Sequence, residues 1–263
     1  MKNSNQSAYP SLFVRLSSVW FRHVRVYSRH LLSNGFPPFL EPLIFLAGIG
    51  LGLGRYIDPI EGQDYMTFLS VGLLVTASMW TSAFECTFGT FIRLEFEKVY
   101  DGMLAAPITA NNLIVGEMLW AATKGFFFSF AVLCVVALFG KAPMPGALAA
   151  PVIGFFNAFM FATMGLFITS FVKTINHFNF FMTGLLSPMF FFSGAVFPID
   201  EKMPFLIHVI SEAVPLTHSV RIMRMLCNGQ LGWILAWDAF YILIFLAVMG
   251  RLAVSRLKKR LIL

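Results

Sequence analysis

The feature that most constrains this chain is where its charge is missing. Six stretches, about 38–57, 65–88, 109–139, 147–172, 177–197 and 231–253, are apolar almost throughout. Each supplies the roughly 20 mainly apolar residues that a membrane-spanning helix needs. A soluble core helix would have to keep one polar face, and these stretches keep none. Composition agrees. Of 263 residues 58% are hydrophobic and 12% are charged, against about 25% charged in an ordinary soluble domain. The expected fold is therefore an all-α membrane protein with six transmembrane helices in one domain covering 1–263.

Charge placement sets the expected orientation, because Lys and Arg concentrate in cytoplasmic loops. With both termini inside, the outer side carries Arg55, Lys141, Lys202, Arg221 and Arg224, and Lys124 falls within a span. Every other Lys and Arg lies inside, from Lys2 to Arg260. The first apolar run begins near Phe36, too late for a cleavable signal peptide, so the first span is expected to remain and act as its own insertion signal. The net charge of +6 sits at the two ends and in short loops, a poor footprint for nucleic acid.

Three segments outside the spans carry their own pattern. In 11–32, Leu12, Leu16, Trp20, Val24, Tyr27 and Leu31 recur at three- and four-residue steps, with Arg15, Arg22, Arg25 and Arg29 off that stripe. Such a helix is expected to lie in the headgroup plane, with a soluble helix packed on a partner as the alternative. Pro37-Pro38 then breaks the chain. On the cytoplasmic side RLEFEKVYDGMLAAPIT, Arg93 to Thr109, reads as a short surface helix that a soluble partner could grip. On the outer side, 198–229 reads as two amphipathic helices separated at Pro215. They are too apolar for a free loop and too interrupted to span, which fits a re-entrant hairpin.

Several chemistries are excluded by missing motifs. There is no GxxxxGK[ST] phosphate loop, no HExxH, no CxxC pair and no serine elbow. Cys86, Cys134 and Cys227 are too scattered for a disulfide framework or metal site. His23, His30, His177, His208 and His218 are distributed over different segments, so no catalytic or metal cluster is expected among them.

Ionisable groups inside spans are expensive and are functional candidates by default. Glu41, Glu85, Glu117 and Lys124 form that set. Glu41 reads as a boundary carboxylate. Lys124 is expected to pair with Glu117 or Glu85, since Glu117 and Lys124 lie seven residues apart on one helix face. Gly48, Gly50, Gly52 and Gly54 give two overlapping GxxxG patterns, which serve equally for packing within the chain or between subunits. The 31 phenylalanines crowd the middle of the chain, and most of them must face lipid.

Three stretches carry a family resemblance: VGEMLWAATKG (Val115–Gly125), SPMFFFSGAVFPID (Ser187–Asp200) and VPLTHSVRIMR (Val214–Arg224). With them the chain resembles the ABC-2 type transporter permeases, and among these the NodJ-like subunits of lipo-oligosaccharide exporters. The resemblance implies six spans, both ends cytoplasmic in the bacterial inner membrane, and a homodimer. It also implies one copy of a separate ATPase per subunit, gripping a coupling helix at Arg93–Ala106. The coupling residues it implies are Arg93, Glu95, Glu97, Lys98, Asp101, Met103 and Leu104, with Glu95, Glu97 and Asp101 toward the ATPase. Many relatives carry a GTLE-like sequence in this helix, where the present chain has VYDG. Pathway or gate candidates are Glu85, Glu117, Lys124, His218 and Arg221.

The function implied is the permease subunit of an ATP-driven exporter moving an amphiphile, such as a lipid-linked or lipid-modified saccharide, outward. No cofactor is expected in this chain, ATP and Mg being expected on the partner ATPase; membrane lipids are expected partners and nucleic acid is not. Drug export is the alternative within the same architecture. An ion-coupled carrier would want a charged relay along one span, and a membrane enzyme would want a clustered catalytic set.

Overall fold

The computed structural model describes residues 10–262 apart from 53, 55, 61 and 200–202. Lys2, Arg55, Asp200 and Lys202 of the sequence argument lie outside the described residues. Those described are helical, with only a bridge between Ile60 and Gln63 as β-pairing. In order the α-helices are α1 (Leu12–Ser28), α2 (Leu31–Gly35), α3 (Pro37–Phe45), α4 (Tyr65–Phe84), α5 (Val99–Leu104) and α6 (Ala110–Leu138). They continue as α7 (Ala150–Thr169), α8 (Phe178–Phe181), α9 (Ser187–Phe191), α10 (Phe205–Ala213), α11 (Pro215–Cys227) and α12 (Trp233–Ile262).

Four helices among the described residues are long and apolar enough to cross a membrane: Tyr65–Phe96, Ala110–Leu138, Gly146–Thr169 and Trp233–Ile262. The first reaches residue 96, past its expected end at 88, because α4 continues through widened turns at Glu85–Gly89 and Ile92–Phe96. The last runs on from 253 to 262, its final turns carrying Lys259 and Arg260. At 30 residues it is about 45 Å long, well beyond a hydrocarbon core of about 30 Å.

The other two stretches expected to span are shorter helical runs. The first is α3 followed by a widened turn at Leu46–Leu51, with Pro42 inside the helix. The second is a chain of short pieces from Ile175 to Phe191, stopped before Gly194, whose φ of 78° no ordinary side chain adopts freely. Proline and glycine, not loss of hydrophobicity, shorten both runs.

Local sequence explains the long helices' starts. Thr109 and Asn112 close a reciprocal capping box that satisfies the first amides of α6. Asp64 caps α4 by accepting from the Thr67 amide, and burial of its carboxyl is outweighed by Thr67 and Lys141, so its pKa is lowered. Pro215 opens α11 after extended Val214, at the break expected from the sequence.

The centre of the molecule is α4, α6 and α7, with α12 laid along α7. Without a hydrophobic drive between helices in lipid, close backbone approach has to supply the packing. Gly125 provides it. A Cβ there would stand 2.1 Å from Ala158 Cβ, and one on facing Gly154 would stand 2.0 Å from Ser129 Oγ. Around this contact Leu74, Val75, Met79, Val132, Met160 and Phe161 are buried. By contrast α12 buries only Asp238, Ile242, Ala253 and Leu257 and turns a broad apolar face outward.

The glycine pattern in the first stretch divides by face. A Cβ on Gly50 would press on Met66 at 3.0 Å, whereas Gly48 and Gly52 face open space.

Helix α1 buries Val19 and His23 against α6, with Leu16, Trp20, Val24 and Tyr27 of the expected stripe half-buried beside them and Leu12 and Leu31 exposed. Gly116 makes the approach possible, since a Cβ there would meet Val19 at 2.5 Å. Arg15 donates to Asn112 Oδ1 at 3.0 Å and Trp20 Nε1 to Thr123 Oγ1 at 3.0 Å. Phe13, Phe21 and Val26 remain exposed. Helix α1 thus packs on its own chain through a partly polar seam.

Candidate functional site

Two ion-pair clusters organise the polar interior. The inner one is built on α4 and α6, with α1 closing it. Glu117 Oε1 pairs with His23 Nε2 at 2.7 Å, and its Oε2 accepts from Arg93 Nη2 at 2.7 Å. The other arm of Arg93 donates to Glu85 Oε1 at 2.8 Å, and Glu85 Oε2 accepts from Lys124 Nζ at 2.8 Å. One guanidinium fork therefore bridges two carboxylates, a role that a lysine point charge could not fill. The order along the cluster is His23, Glu117, Arg93, Glu85, Lys124.

Lys124 meets Glu85, one of the two partners expected for it, while Glu117 goes to Arg93 and His23. His23 is also stacked on Trp120, with centroids 5.6 Å apart. Glu117 is 1% and Arg93 14% exposed, so these charges stand only because each faces an opposite one. Arg93 reaches further, donating from Nε to the Tyr100 hydroxyl at 3.3 Å. Burial first, then nearby Glu117, raises the Tyr100 pKa strongly.

Arg93, expected among the coupling residues, is largely buried, and the widened turns of α4 carry it inward to the carboxylates. The histidines are not all apart from other chemistry, because His23 joins Glu85 and Glu117 with ligand atoms within 4.8 Å of one another. That trio has the spacing of a metal site. Its carboxylates are already neutralised by Arg93 and Lys124, however, and a divalent cation would have to displace a buried guanidinium. The arrangement is an ion-pair chain.

The remaining coupling candidates sit around α5. The α4 helix ends at a corner where Lys98 takes a left-handed conformation, φ 52°, and α5 leaves from it. Glu97, Lys98 and Asp101 are exposed, Met103 and Leu104 half-buried, and Tyr100 lies buried beneath them. Glu95 is tied to Arg260 of α12 at 2.7 Å. The sequence reading missed Tyr100, whose buried hydroxyl links this surface to Arg93.

The outer cluster joins α10, α11 and α12. Asp238, fully buried in α12, accepts from Arg221 Nε at 2.8 Å and Nη2 at 2.6 Å, and pairs with His218 Nδ1 at 2.7 Å. His218 Nε2 faces the Glu212 carbonyl at 3.0 Å. Both ring nitrogens thus face oxygen atoms able to accept a hydrogen bond. Tyr241 stacks on the imidazole with centroids 3.7 Å apart, and Arg221 also forks onto Glu212. Asp238 escaped the sequence reading, although an aspartate inside WILAWDAFYILI is a plain signal of a paired intramembrane charge. Arg224 secures the hairpin elsewhere, donating to the Gly194 carbonyl at 2.7 Å and lying 3.5 Å over the Phe68 ring.

Glu41, exposed near the start of α3, makes no ion pair among the described residues but lines a cavity together with Glu85 and Lys124.

Comparison with known proteins agrees with this architecture. Residues 15–227 match the family described as ABC-2 type transporter. The chain is 30% identical over 246 residues to "Nodulation protein J" of Sinorhizobium fredii, covering 93% of each protein. It is 32% identical over 214 residues to "Nodulation protein J" of Rhizobium leguminosarum bv. viciae, covering 81% of this chain and 82% of the relative. It is also 22% identical over 193 residues to "Inner membrane transport permease YadH" of Escherichia coli, covering 73% and 75%.

Proposed function

The chain belongs to the ABC-2 type transporter family, and we propose that it is the membrane subunit of an ATP-driven exporter in the bacterial inner membrane. Two copies, each with one copy of a separate ATPase, move an amphiphile outward, and the cargo is a lipid-linked or lipid-modified saccharide. In this reading the short runs 37–51 and 175–191 complete a set of six spans with both termini cytoplasmic. Helix α1 rests at the cytoplasmic headgroups, and α10–α11 form the re-entrant hairpin of the outer side. ATP and Mg are held by the ATPase, which grips Glu95, Glu97, Lys98, Asp101, Met103 and Leu104.

One observation carries the proposal. The exposed α5 is connected through Tyr100 to Arg93, and Arg93 is the bridge of a buried ion-pair chain that ends at Lys124 in the middle of α6. A push on α5 therefore reaches the spans through fixed hydrogen bonds. The energy comes from the different affinity of ATP for the two states of the ATPase pair. Arg93 accordingly acts as the relay between coupling surface and spans.

The test is co-expression with a phosphate-loop ATPase, purification of the complex and reconstitution. The expected result is vanadate-sensitive ATP hydrolysis stimulated by a lipid-modified oligosaccharide. Substrate movement driven by an ion gradient without ATP would sink the reading.

A further inference from the structure

The charged end of α12 sorts its cations by face. Arg256 lies 5.4 Å over the Phe171 ring, and Arg260 donates to the Thr169 and Val172 carbonyls and pairs with Glu95. Both turn inward. Arg251, Lys258 and Lys259 instead line a groove of about 930 Å³ beside the first turn of α6, where Asn111 completes the wall. All three are exposed, and among the described residues they make no hydrogen bond or ion pair. No carboxylate lines the groove. Cations at a helix end commonly reach singly for the headgroups, but three uncompensated ones along one groove form a continuous anion-attracting wall.

Their spacing shapes the anion. Arg251 and Lys258 lie two turns apart on one face, about 10 Å along the helix axis, with Lys259 beside Lys258. One phosphate engages one level or the other, whereas two phosphates joined through a short linker meet both. The rest of the face says that the anion carries chains. Val254 and Ile262 give the groove an apolar side. Above Arg251 the same face continues with Val248, Ile244 and Phe240 at four-residue steps, all exposed. Phe240 lies about 16 Å from Arg251 along the axis, the depth of one leaflet in a hydrocarbon core about 30 Å thick.

We propose that this face of α12 binds a membrane phospholipid whose head carries two phosphates. One phosphate sits on Arg251 and the other on Lys258 and Lys259, with an acyl chain along Val248, Ile244 and Phe240. Basic pockets between transmembrane helices take such heads. The site needs only that α12 cross the membrane, and it is independent of cargo and of ATP.

The test is native mass spectrometry of the full, delipidated chain, titrated from detergent with diphosphatidylglycerol, phosphatidylglycerol or phosphatidylcholine. One diphosphatidylglycerol per chain is expected, held about fivefold or more tighter than phosphatidylglycerol. Arg251→Gln and Lys258→Gln should each weaken it about fivefold, and R251Q, K258Q and K259Q together about a hundredfold. Removing the same charge from α1, by R22Q, R25Q and R29Q, should leave it unchanged. Glycerol bisphosphate, a head without chains, should not displace the lipid. Equal affinity for phosphatidylglycerol, or an equal loss in the α1 variant, would overturn the proposal in favour of general charge attraction. Displacement by the chainless head would overturn it in favour of a soluble anion. So would a groove variant that keeps its lipid but loses a co-expressed phosphate-loop ATPase, which would give this face to that protein.

Discussion

The two ion-pair clusters use the same residue types and differ in how they are closed. In the inner cluster no side chain is more than 16% exposed, and the partners come from α1, α4 and α6, far apart in sequence. In the outer cluster Asp238 and His218 are buried, but Arg221 is 29% and Glu212 52% exposed. A buried pair that loses one partner leaves an uncompensated charge. An exposed pair hands its orphan to water at little cost. The inner cluster is therefore a permanent joint, and the outer one a joint with a wet side that can be undone.

The largest expected effect tests that contrast directly. Glu117→Leu leaves Arg93 and Lys124 to share Glu85, one buried positive charge uncompensated and out of reach of water, and should cost about 3–5 kcal/mol of stability, read as thermal unfolding in detergent. Asp238→Leu leaves Arg221 its Glu212 partner and a route to water, and should cost about 1–3 kcal/mol. Equal losses would erase the distinction. Next, pairwise substitution sharpens it. Glu85→Leu with Lys124→Leu should be less damaging than the sum of the two changes, with a coupling of about 1–3 kcal/mol. Glu212→Ala with Arg221→Ala should couple by no more than about 1 kcal/mol.

A third experiment asks whether the inner joint works as well as holds. Lys124→Met keeps bulk and removes charge, and substrate-stimulated ATP hydrolysis by the complex should fall about fivefold or more. Unchanged export and ATPase coupling would show that Lys124 only packs. The smallest effect is the pH dependence that Glu212 contributes to the outer cluster. The hydrogen bond from Arg221 lowers the Glu212 pKa against the opposing effect of burial. Its stabilisation is therefore complete above the unfolded value, about pH 4.3, and is lost as the pH falls through the lower folded value. Melting temperature followed down through pH 4 should show a slope that Glu212→Gln flattens. An unchanged slope would place the acid sensitivity elsewhere.

What could be read from the sequence followed hydropathy and depth. Residues 65–88, 109–139 and 147–172 were legible because nothing within them interrupts an apolar helix. That Lys124 pairs with one of two carboxylates, Glu117 or Glu85, was legible from their places inside the spans, but which of the two takes it was not. Residues 38–57 and 177–197 passed on composition alone, which does not register that Pro42, the glycines of the first stretch and Gly194 redirect a backbone without making it polar. The burial of Arg93 was not legible, because the wide turns after Glu85 are a tertiary choice that no local propensity announces. His23 was hidden for a similar reason. Its partner lies on α6, 94 residues away, and only the missing side chain at Gly116 lets α1 come close enough to deliver it.

The contact of Gly125 with Gly154 and Ala158 has a mechanical consequence. Two helices whose backbones touch with no side chain between them have nothing to slide on, so α6 and α7 form the stator of this molecule. Helix α1 meets that frame at a single glycine, Gly116, and α11 meets it at Gly146 just ahead of α7, whereas α3 is held to it by side chains such as Phe39 against Phe127.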